Sequence, residues 1–194
     1  RKQIEDQFGS DVALLVDGVC RIENVPDVSD IQVYFDILTR MGAIVRMINK
    51  TTFELDCSAV RTTSVPHELA AQIRASYYLV GALLGRFGKA TVAMPGGCDF
   101  GVRPIDQHIK GLNLLGANVN VSGGFIQAKA KNGRLRGTKI YLDKVSVGAT
   151  VNIMIAAATA EGRTVIENVA REPHIVDLAN FLNSMGADVR GAGT

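Results

Sequence analysis

Apolar residues recur along the chain in three similar blocks, which begin at Cys20, Ala90 and Thr164. Each block has an apolar run typical of a strand, then a turn, a stretch with helical periodicity and a second apolar run. The first and third blocks also share the tetrapeptide Ile-Glu-Asn-Val. In the third block the apolar positions follow the i, i+3, i+4, i+7 spacing of an amphipathic helix: Ile175, Leu178, Ala179 and Leu182. The pattern predicts an α/β protein built from an internal repeat.

A glycine marks the same point in every block. Gly42, Gly116 and Gly186 each follow the predicted helix and precede the second strand, with separations of 74 and 70 residues. A chain that leaves a helix and reverses into a strand commonly needs a residue with positive φ, which glycine adopts without strain. We therefore expect three strand–helix units of about 70 residues each.

Two further segments are apolar on nearly all sides and predict helices buried on most faces, Leu69–Phe87 and Val145–Ala160. The first block retains only a stub of such a helix, Ser10–Val16. Units of this kind bury their helices by packing around shared central ones. Residues 1–194 are thus predicted to form a single domain, completed by three further strands: Thr52–Leu55, Phe125–Ala130 and Thr138–Leu142.

Charge and length exclude several classes of protein. The 194 residues carry 21 Lys and Arg against 19 Asp and Glu, and a net charge of +2 is too small for a protein that binds nucleic acid by neutralising phosphates. The longest nearly uncharged run, Val145–Ala160, is short for a membrane span. Residues 1–11 lack the apolar core of a signal peptide. We expect a cytoplasmic protein without membrane or nucleic-acid partners.

The three cysteines differ in their surroundings. Cys20 and Cys57 lie in apolar stretches and are predicted to fill the core. Cys98 lies between glycines in Pro-Gly-Gly-Cys-Asp-Phe-Gly, where an exposed thiol is either a liability or a reagent. No Cys-x-x-Cys pair exists, and the scattered histidines make a zinc site improbable: His67, His108 and His174.

The middle block differs from the other two in the residues that could bind a ligand or react with it. In place of Ile-Glu-Asn-Val it has a glycine-rich loop whose backbone N–H groups could approach an anion. Arg103, at a predicted helix start, suits a phosphate or carboxylate. Asp106 is either a helix residue stabilised by the dipole or an acceptor for a ligand. Neither a Walker loop nor a dinucleotide fingerprint is present.

Two more cations have a choice of roles. Arg74 interrupts the predicted helix 69–87, so its charge must be paired or must serve a ligand. Lys144 precedes the other buried helix, with Ser146 as a plausible N-cap, and is either a ligand contact or a solvated turn charge. Arg171 and Glu172 occupy the corresponding turn of the third block and could be an ordinary surface pair.

Residues Pro95–His108, which fit P-G-G-C-x-x-G-x-R-P-x-D-x-H, resemble the signature loop of bacterial UDP-N-acetylglucosamine enolpyruvyl transferases (1-carboxyvinyltransferases). The similarity runs from about Val12 to Thr194. The resemblance implies an inside-out α/β barrel in two domains, each of three strand–helix repeats. Four shorter stretches also match: IRAS at 73–76, GRFG at 85–88, DKVSVGAT at 143–150 and AREPHIVD at 170–177.

The chain departs from this family in length. Members are about twice as long, and their active site lies in the cleft between the two domains. The Lys-Asn pair that the family carries near the start of this region should fall around Gln3 and Ile4, and it is absent. We therefore expect the chain to be a one-domain fragment whose catalytic partner is the second domain of the same enzyme.

The reaction implied by the resemblance transfers the enolpyruvyl group of phosphoenolpyruvate to the 3′-hydroxyl of UDP-N-acetylglucosamine and releases phosphate, the committed step of peptidoglycan synthesis. Cys98 would protonate the methylene carbon, could form a covalent adduct, and would be the target of fosfomycin. Arg74 and Arg103 would hold phosphoenolpyruvate, and Glu172 would flank the site. No metal or organic cofactor is implied. The positions expected to bind the UDP-sugar are Arg74, Arg103, Pro104, Ile105, Asp106, Gln107, His108, Lys144, Val145, Ser146 and Val147.

Three alternatives remain open. A shikimate-3-phosphate enolpyruvyl transferase would share the fold and the donor, although that enzyme lacks the cysteine loop. The chain could instead bind the UDP-sugar without turnover, or it could be a structural repeat protein with no site. Ligand binding without phosphate release would distinguish the second alternative from an enzyme.

Overall fold

The computed structural model describes residues 3–5, 18–94 and 105–194. Its strands are β1 (Gln3–Glu5), β2 (Val19–Glu23), β3 (Ile44–Asn49), β4 (Thr52–Asp56), β5 (Lys89–Ala93), β6 (Ala117–Ser122), β7 (Phe125–Ala130), β8 (Lys139–Tyr141) and β9 (Val165–Glu167). Its α-helices are α1 (Ser29–Arg40), α2 (His67–Ala70), α3 (Tyr78–Phe87), α4 (Asp106–Leu114), α5 (Val147–Ala157) and α6 (Pro173–Ser184), and a 3₁₀ turn spans Arg74–Tyr77.

The sheets repeat one plan. In the first repeat β2 has the parallel strand β1 on one side and the antiparallel hairpin β4–β3 on the other. In the second, β5 pairs with the hairpin β7–β6, and a parallel bridge between Ser64 and Thr91 takes the place of the parallel neighbour. In the third, β9 pairs with its parallel neighbour β8. The three predicted strand–helix units are therefore confirmed, although the third sheet has only two strands in the described part of the chain.

Helices α3 and α5 occupy the centre and pack against each other, with the sheets placed outside them. Their sequences are apolar on nearly all sides, so burial is favourable on every face. Residues 149–156 of α5 are all buried. Asn152, a polar exception in this helix, donates a hydrogen bond from Nδ2 to the Tyr77 carbonyl oxygen at 2.9 Å. No helix in the described ranges has the length and apolar character needed to cross a membrane.

The chain reversals are as predicted. Gly42, Gly116 and Gly186 have φ of 104°, 91° and 109°, in the left-handed region that glycine adopts without strain. The N–H of each glycine donates to the carbonyl three residues earlier, at 3.0 Å in every case. The repeat is thus visible in backbone geometry as well as in sequence.

The two Ile-Glu-Asn-Val copies bend at their asparagines. Asn24 and Asn168 have φ of 59° and 57°, which only a few residue types other than glycine tolerate. The Asn168 side chain also donates to the Leu142 carbonyl oxygen at 2.7 Å. Asparagine recurs at this position because the bend requires a left-handed residue.

The predicted continuous helix over Leu69–Phe87 is wrong. Helix α2 ends at Ala70, Ile73 is extended with φ −127° and ψ 141°, and Arg74 opens the 3₁₀ turn that leads into α3. The buried Ser76 hydroxyl stabilises the break, because it lies 2.8 Å from the Ala70 carbonyl oxygen and 2.9 Å from that of Ile73. Arg74 therefore begins a separate turn and does not interrupt a buried helix.

Other predicted boundaries shift or fail. The helix predicted at Val145–Ala160 spans only Val147–Ala157, and the second strand expected after Gly186 does not form. Strand β1 lies in a polar segment for which no strand was predicted. The other predicted strands are found within a residue or two of their expected bounds, and the stub helix Ser10–Val16 lies outside the described residues.

Two cysteines fill the core as expected. Cys20 is 7 % exposed and Cys57 is fully buried, and neither forms a disulfide. Burial raises the pKa of Cys20, and burial together with the neighbouring Cys20 raises the pKa of Cys57 to about 12. Both thiols are therefore protonated at neutral pH.

Candidate functional site

Three separate segments meet beside the central helices: the Arg74–Tyr77 turn, the N-terminus of α4, and the loop that leads into α5. Gln107 of α4 joins the last two, because its Oε1 accepts from the Asp143 N–H at 2.9 Å. Lys110, one turn further along α4, forms an ion pair with Asp143 at 2.6 Å. Residues 36 positions apart are thereby held in one place.

Tyr77 and His108 join the first segment to the other two. Their rings meet edge to face with centroids 4.9 Å apart, and the Arg74 guanidinium carbon lies 5.4 Å from the Tyr77 centroid. Gly148, at the start of α5, closes the cluster. A Cβ at this position would overlap the Tyr77 hydroxyl and would lie 2.9 Å from His108 Nε2. The contact therefore leaves room only for glycine unless the neighbouring rings move.

The buried and exposed groups of this cluster have different charge states. His108 is 6 % exposed, and burial, reinforced by the charge of Arg74, lowers its pKa to about 4 although Asp106 acts in the opposite direction. A hydrogen bond from Gln107, 2.9 Å away, lowers the pKa of the exposed Asp106, with help from Lys144. At neutral pH the site therefore holds a neutral imidazole and two carboxylates, those of Asp106 and Asp143.

The N-termini of α4 and α5 lie side by side in this cluster. The Ala149 N–H donates to Ser146 Oγ at 3.3 Å, so the predicted N-cap is confirmed. Asp106 is the first residue of α4, which agrees with its interpretation as an N-terminal helix residue; its role as a ligand acceptor stays a prediction. Two helix dipoles that point the same way, with Arg74 and Lys144 nearby, suit a ligand that carries phosphate.

A shallow hollow of about 440 Å³ lies next to the start of α5. Val145, which is 59 % exposed, forms one wall of the hollow, and Asn168, Val169, Arg171 and Glu172 line the rest. Among the predicted site residues, Glu172 shares this hollow with Val145 alone. The structure therefore places Glu172 beside the segment expected to bind sugar nucleotide.

Several predicted site residues cannot be placed. Cys98, Arg103 and Pro104 lie outside the described residues, whereas Ile105 is buried just before α4. Their roles stay predictions. In residues 18–94 and 105–194, no three His, Cys, Asp or Glu side chains are grouped as a metal site would require.

Three residues that hold the site in place were not predicted from the sequence. Tyr77 contacts both Arg74 and His108, while Asn152 and Thr150 of α5 anchor neighbouring backbone. Thr150 Oγ1 accepts from the Ala170 N–H at 3.1 Å, which ties the third repeat to the central helix. Asn152 and Thr150 could have been found from the sequence, because they are polar residues in an otherwise apolar buried helix and buried polar groups need hydrogen-bond partners.

Comparison with known proteins identifies the family. The model of EPSP synthase (3-phosphoshikimate 1-carboxyvinyltransferase) matches residues 12–194, nearly the whole chain. The chain belongs to the EPSP synthase family. This agrees with the enolpyruvyl-transferase resemblance of the cysteine loop.

Similar sequences within the family carry a narrower name. UDP-N-acetylglucosamine 1-carboxyvinyltransferase 2 of Clostridium acetobutylicum is 55% identical over 178 residues, which cover 92% of this chain and 42% of that protein. UDP-N-acetylglucosamine 1-carboxyvinyltransferase 3 of Caldanaerobacter subterraneus subsp. tengcongensis is 53% identical over 182 residues, 94% of this chain and 43% of that protein. The chain thus spans somewhat less than half the length of these relatives.

Solved structures of the family share the fold. The enolpyruvyl transferase NikO from Streptomyces tendae has a TM-score of 0.79 at 23% identity and matches 97% of this chain and 45% of its own. EPSP synthase from Acinetobacter baumannii has a TM-score of 0.68 at 18% identity, over 98% of this chain and 45% of its own. The predicted α/β repeat fold is therefore confirmed.

Proposed function

We propose that this chain is one of two domains of a UDP-N-acetylglucosamine enolpyruvyl transferase. The full enzyme would move the enolpyruvyl group of phosphoenolpyruvate to the sugar 3′-hydroxyl, with release of phosphate, as a cytoplasmic step of peptidoglycan and cell-wall synthesis. The observation that carries the proposal is the meeting of Arg74, Asp106–His108 and Lys144–Val147, three distant segments that the cysteine-loop resemblance assigns to one substrate site.

The charges of this site suit a sugar nucleotide diphosphate. Arg74 and Lys144 supply positive charge beside the N-termini of α4 and α5, where the positive ends of the helix dipoles add to it. Asp106 is ionised at neutral pH and accepts hydrogen bonds, as a sugar hydroxyl or amide requires. The neutral His108 is buried against the Tyr77 ring and adds no charge.

Cys98 and Arg103 are proposed to supply the chemistry. Cys98 would donate a proton to the methylene carbon of phosphoenolpyruvate while the sugar oxygen attacks the neighbouring carbon. The Cys98 thiolate would then take back a proton from the new methyl group as phosphate leaves with the proton of the sugar hydroxyl, which gives the enol ether of the sugar. Arg74 and Arg103 would hold the phosphate and carboxylate, a geometry that planar guanidinium groups favour. Turnover would require the second domain to close the cleft.

The narrower acceptor assignment rests on the cysteine loop and on the names of the relatives. A shikimate-3-phosphate acceptor is the competing reading within the same family, because the family model bears that enzyme's name. The two acceptors differ in whether a nucleotide is present. Direct binding therefore separates them.

The test is calorimetric titration of UDP-N-acetylglucosamine into the chain, with two lysine variants. Lys144→Met removes a proposed ligand contact, whereas Lys139→Met removes an exposed lysine on β8 that forms an ion pair with Glu167 at 2.9 Å. We expect Lys144→Met to weaken binding roughly tenfold or more, because charge-assisted hydrogen bonds to a ligand contribute about 1.5–3 kcal/mol. Lys139→Met should bind like the parent.

Two results would contradict the proposal. They are heat with shikimate-3-phosphate and none with the UDP-sugar, and equal effects of the two lysine variants on UDP-sugar binding. No heat with either compound at millimolar concentration would mean that the cleft between the two domains creates the affinity, and the titration is then made with the full-length protein. In the full-length protein, phosphate release from phosphoenolpyruvate should also disappear in Cys98→Ala. Sugar-nucleotide binding without any phosphate release by the full-length protein would favour a binding module instead.

A further inference from the structure

Gln107, the second residue of α4, is expected from the resemblance to contact the UDP-sugar, but its side chain is 6 % exposed and bonded within the protein. Its Oε1 accepts from the Asp143 N–H at 2.9 Å, and its Nε2 donates to Asp106 Oδ2 at 2.9 Å. A longer contact of 3.4 Å joins Nε2 to Asp143 Oδ2. Both ends of the amide are therefore engaged inside the site.

The partners of this amide permit only one orientation. Asp106 and Asp143 are carboxylates at neutral pH, because a hydrogen bond from Gln107 lowers the pKa of the first and one from Lys110 lowers the pKa of the second. A carboxylate accepts only from the amide N–H groups, and a backbone N–H donates only to the amide oxygen. Since an amide has two N–H groups and both have acceptors here, Gln107 has none left for a ligand.

Lys110 contacts the same aspartate from the same side of the helix. Positions 107 and 110 are three residues apart, so their side chains leave α4 on one face. Lys110 Nζ lies 2.6 Å from Asp143 Oδ1. Asp143 is thus bound to α4 through its backbone N–H and through both carboxylate oxygens.

Hydrogen bonds fix the backbone before and after Lys144. On one side Asp143 is bound to α4, and the Leu142 carbonyl oxygen accepts from Asn168 Nδ2 at 2.7 Å. On the other side Ser146 caps α5. Lys144 itself is exposed. A long exposed side chain on a fixed backbone loses less conformational freedom on binding than the same side chain on a mobile loop.

On the basis of the proposed sugar-nucleotide site, we propose that Gln107 is a positioning residue, which fixes the Asp143 backbone so that Lys144 meets a phosphate group of the ligand. Gln107 acts on binding through Lys144, and its side chain makes no contact with the sugar. Lys110 reinforces the same connection from the surface, where an exposed ion pair contributes little.

The first measurement needs no ligand. Amide hydrogen exchange at Asp143 is measured in the full-length protein and in Gln107→Met, which has a similar length but accepts no hydrogen bond from a backbone N–H. The matched control is Gln127→Met, at an exposed position of β7. We expect exchange at Asp143 to become about fivefold faster or more in Gln107→Met and to stay unchanged in the control, because the N–H loses its acceptor.

The second measurement is a double-mutant cycle on the Kd of UDP-N-acetylglucosamine for the full-length protein. The cycle compares the parent, Gln107→Met, Lys144→Met and the variant with both changes. We expect Gln107→Met to weaken binding about fivefold in the parent, but less than about twofold when residue 144 is already methionine. A general loss of stability cannot produce this difference, because it would act in both backgrounds. Lys110→Met should weaken binding less than about threefold.

Equal effects of Gln107→Met in the two backgrounds, whether large or absent, would overturn the proposal, and so would unchanged exchange at Asp143. Either result leaves the proposed function standing, provided that the parent binds the UDP-sugar and Lys144→Met weakens this binding. If the full-length parent does not bind the UDP-sugar, the proposed function is wrong and Gln107 has no such ligand to serve. Gln107→Leu repeats the cycle, so that the result does not depend on how methionine packs.

Discussion

The first and third repeats contain the same four residues, Ile-Glu-Asn-Val, in two environments. The backbone bends equally in both, with φ of 59° at Asn24 and 57° at Asn168. Burial differs, because Ile22 lies beside the paired strand β4 whereas Ile166 lines an open groove of about 720 Å³ between β9 and residues 187–192. Local sequence thus determines the local conformation, but the neighbouring strand determines how much free energy a side chain contributes.

The largest effect should come from matched truncations at these two isoleucines. Ile22→Ala should lower the free energy of unfolding by about 3 kcal/mol, because it leaves a cavity in a closed core. Ile166→Ala should cost only about 1 kcal/mol, because its side chain is partly in water already and the open groove can relax. Urea unfolding of both variants measures the difference, and equal losses would show that the two sheets are equally closed.

The third repeat is open at the groove beside β9 but closely packed at the start of α5. There a Cβ on Gly148 would collide with Tyr77 and His108. His108 accepts a proton at a pH of about 4 when folded and near 6.5 when unfolded. The unfolded state therefore binds the proton first, and stability should fall as the pH drops from about 6.5 to about 4. The loss should reach about 2–3 kcal/mol at the low end.

The measurement is the unfolding free energy of the parent and of His108→Gln between pH 7 and pH 4. The parent should lose more stability than the variant across this window, since glutamine does not titrate. Identical pH slopes would mean that the imidazole is not buried in its neutral form. The Ile166→Ala variant, changed on the open side, should keep the slope of the parent.

The smallest effect concerns the cap of the central helix. Ser146 is the one N-cap side chain with a hydrogen bond among the described helices, and Ser146→Ala should cost about 1 kcal/mol. Ser146→Asp should retain most of the stability, because aspartate is also a good N-cap. If alanine proves as stable as serine, packing of α5 against α3 alone fixes the start of the helix.

These comparisons also show how far the sequence predicts the structure. The three units and their glycine turns were predictable because hydrophobic spacing and the need for positive φ are local properties. The break before Arg74 was not, because it depends on Ser76 reaching two carbonyl oxygens in the folded turn. The missing strand after Gly186 has a similar cause, since a strand forms only where a partner is present to pair with it.

The candidate site, too, was predictable from the sequence only in part. The motif resemblance named Arg74, Asp106 and Lys144, but it gave no indication of how they are held together. The link from Gln107 to Asp143 and the ring contact of Tyr77 with His108 join residues that are 36 and 31 positions apart. Contacts over such separations follow from how the repeats pack and have no signature in local sequence.

The two buried cysteines make the chain a convenient subject for labelling. Cys20 and Cys57 are protonated and covered by the core, so an alkylating reagent reaches them only when the protein opens. Of the three cysteines, any that is modified rapidly in the folded protein must therefore be Cys98. With a longer incubation, the rate at which Cys20 and Cys57 are alkylated measures how often the first repeat opens. A single labelling experiment therefore measures both the reactivity of Cys98 and the opening of the fold.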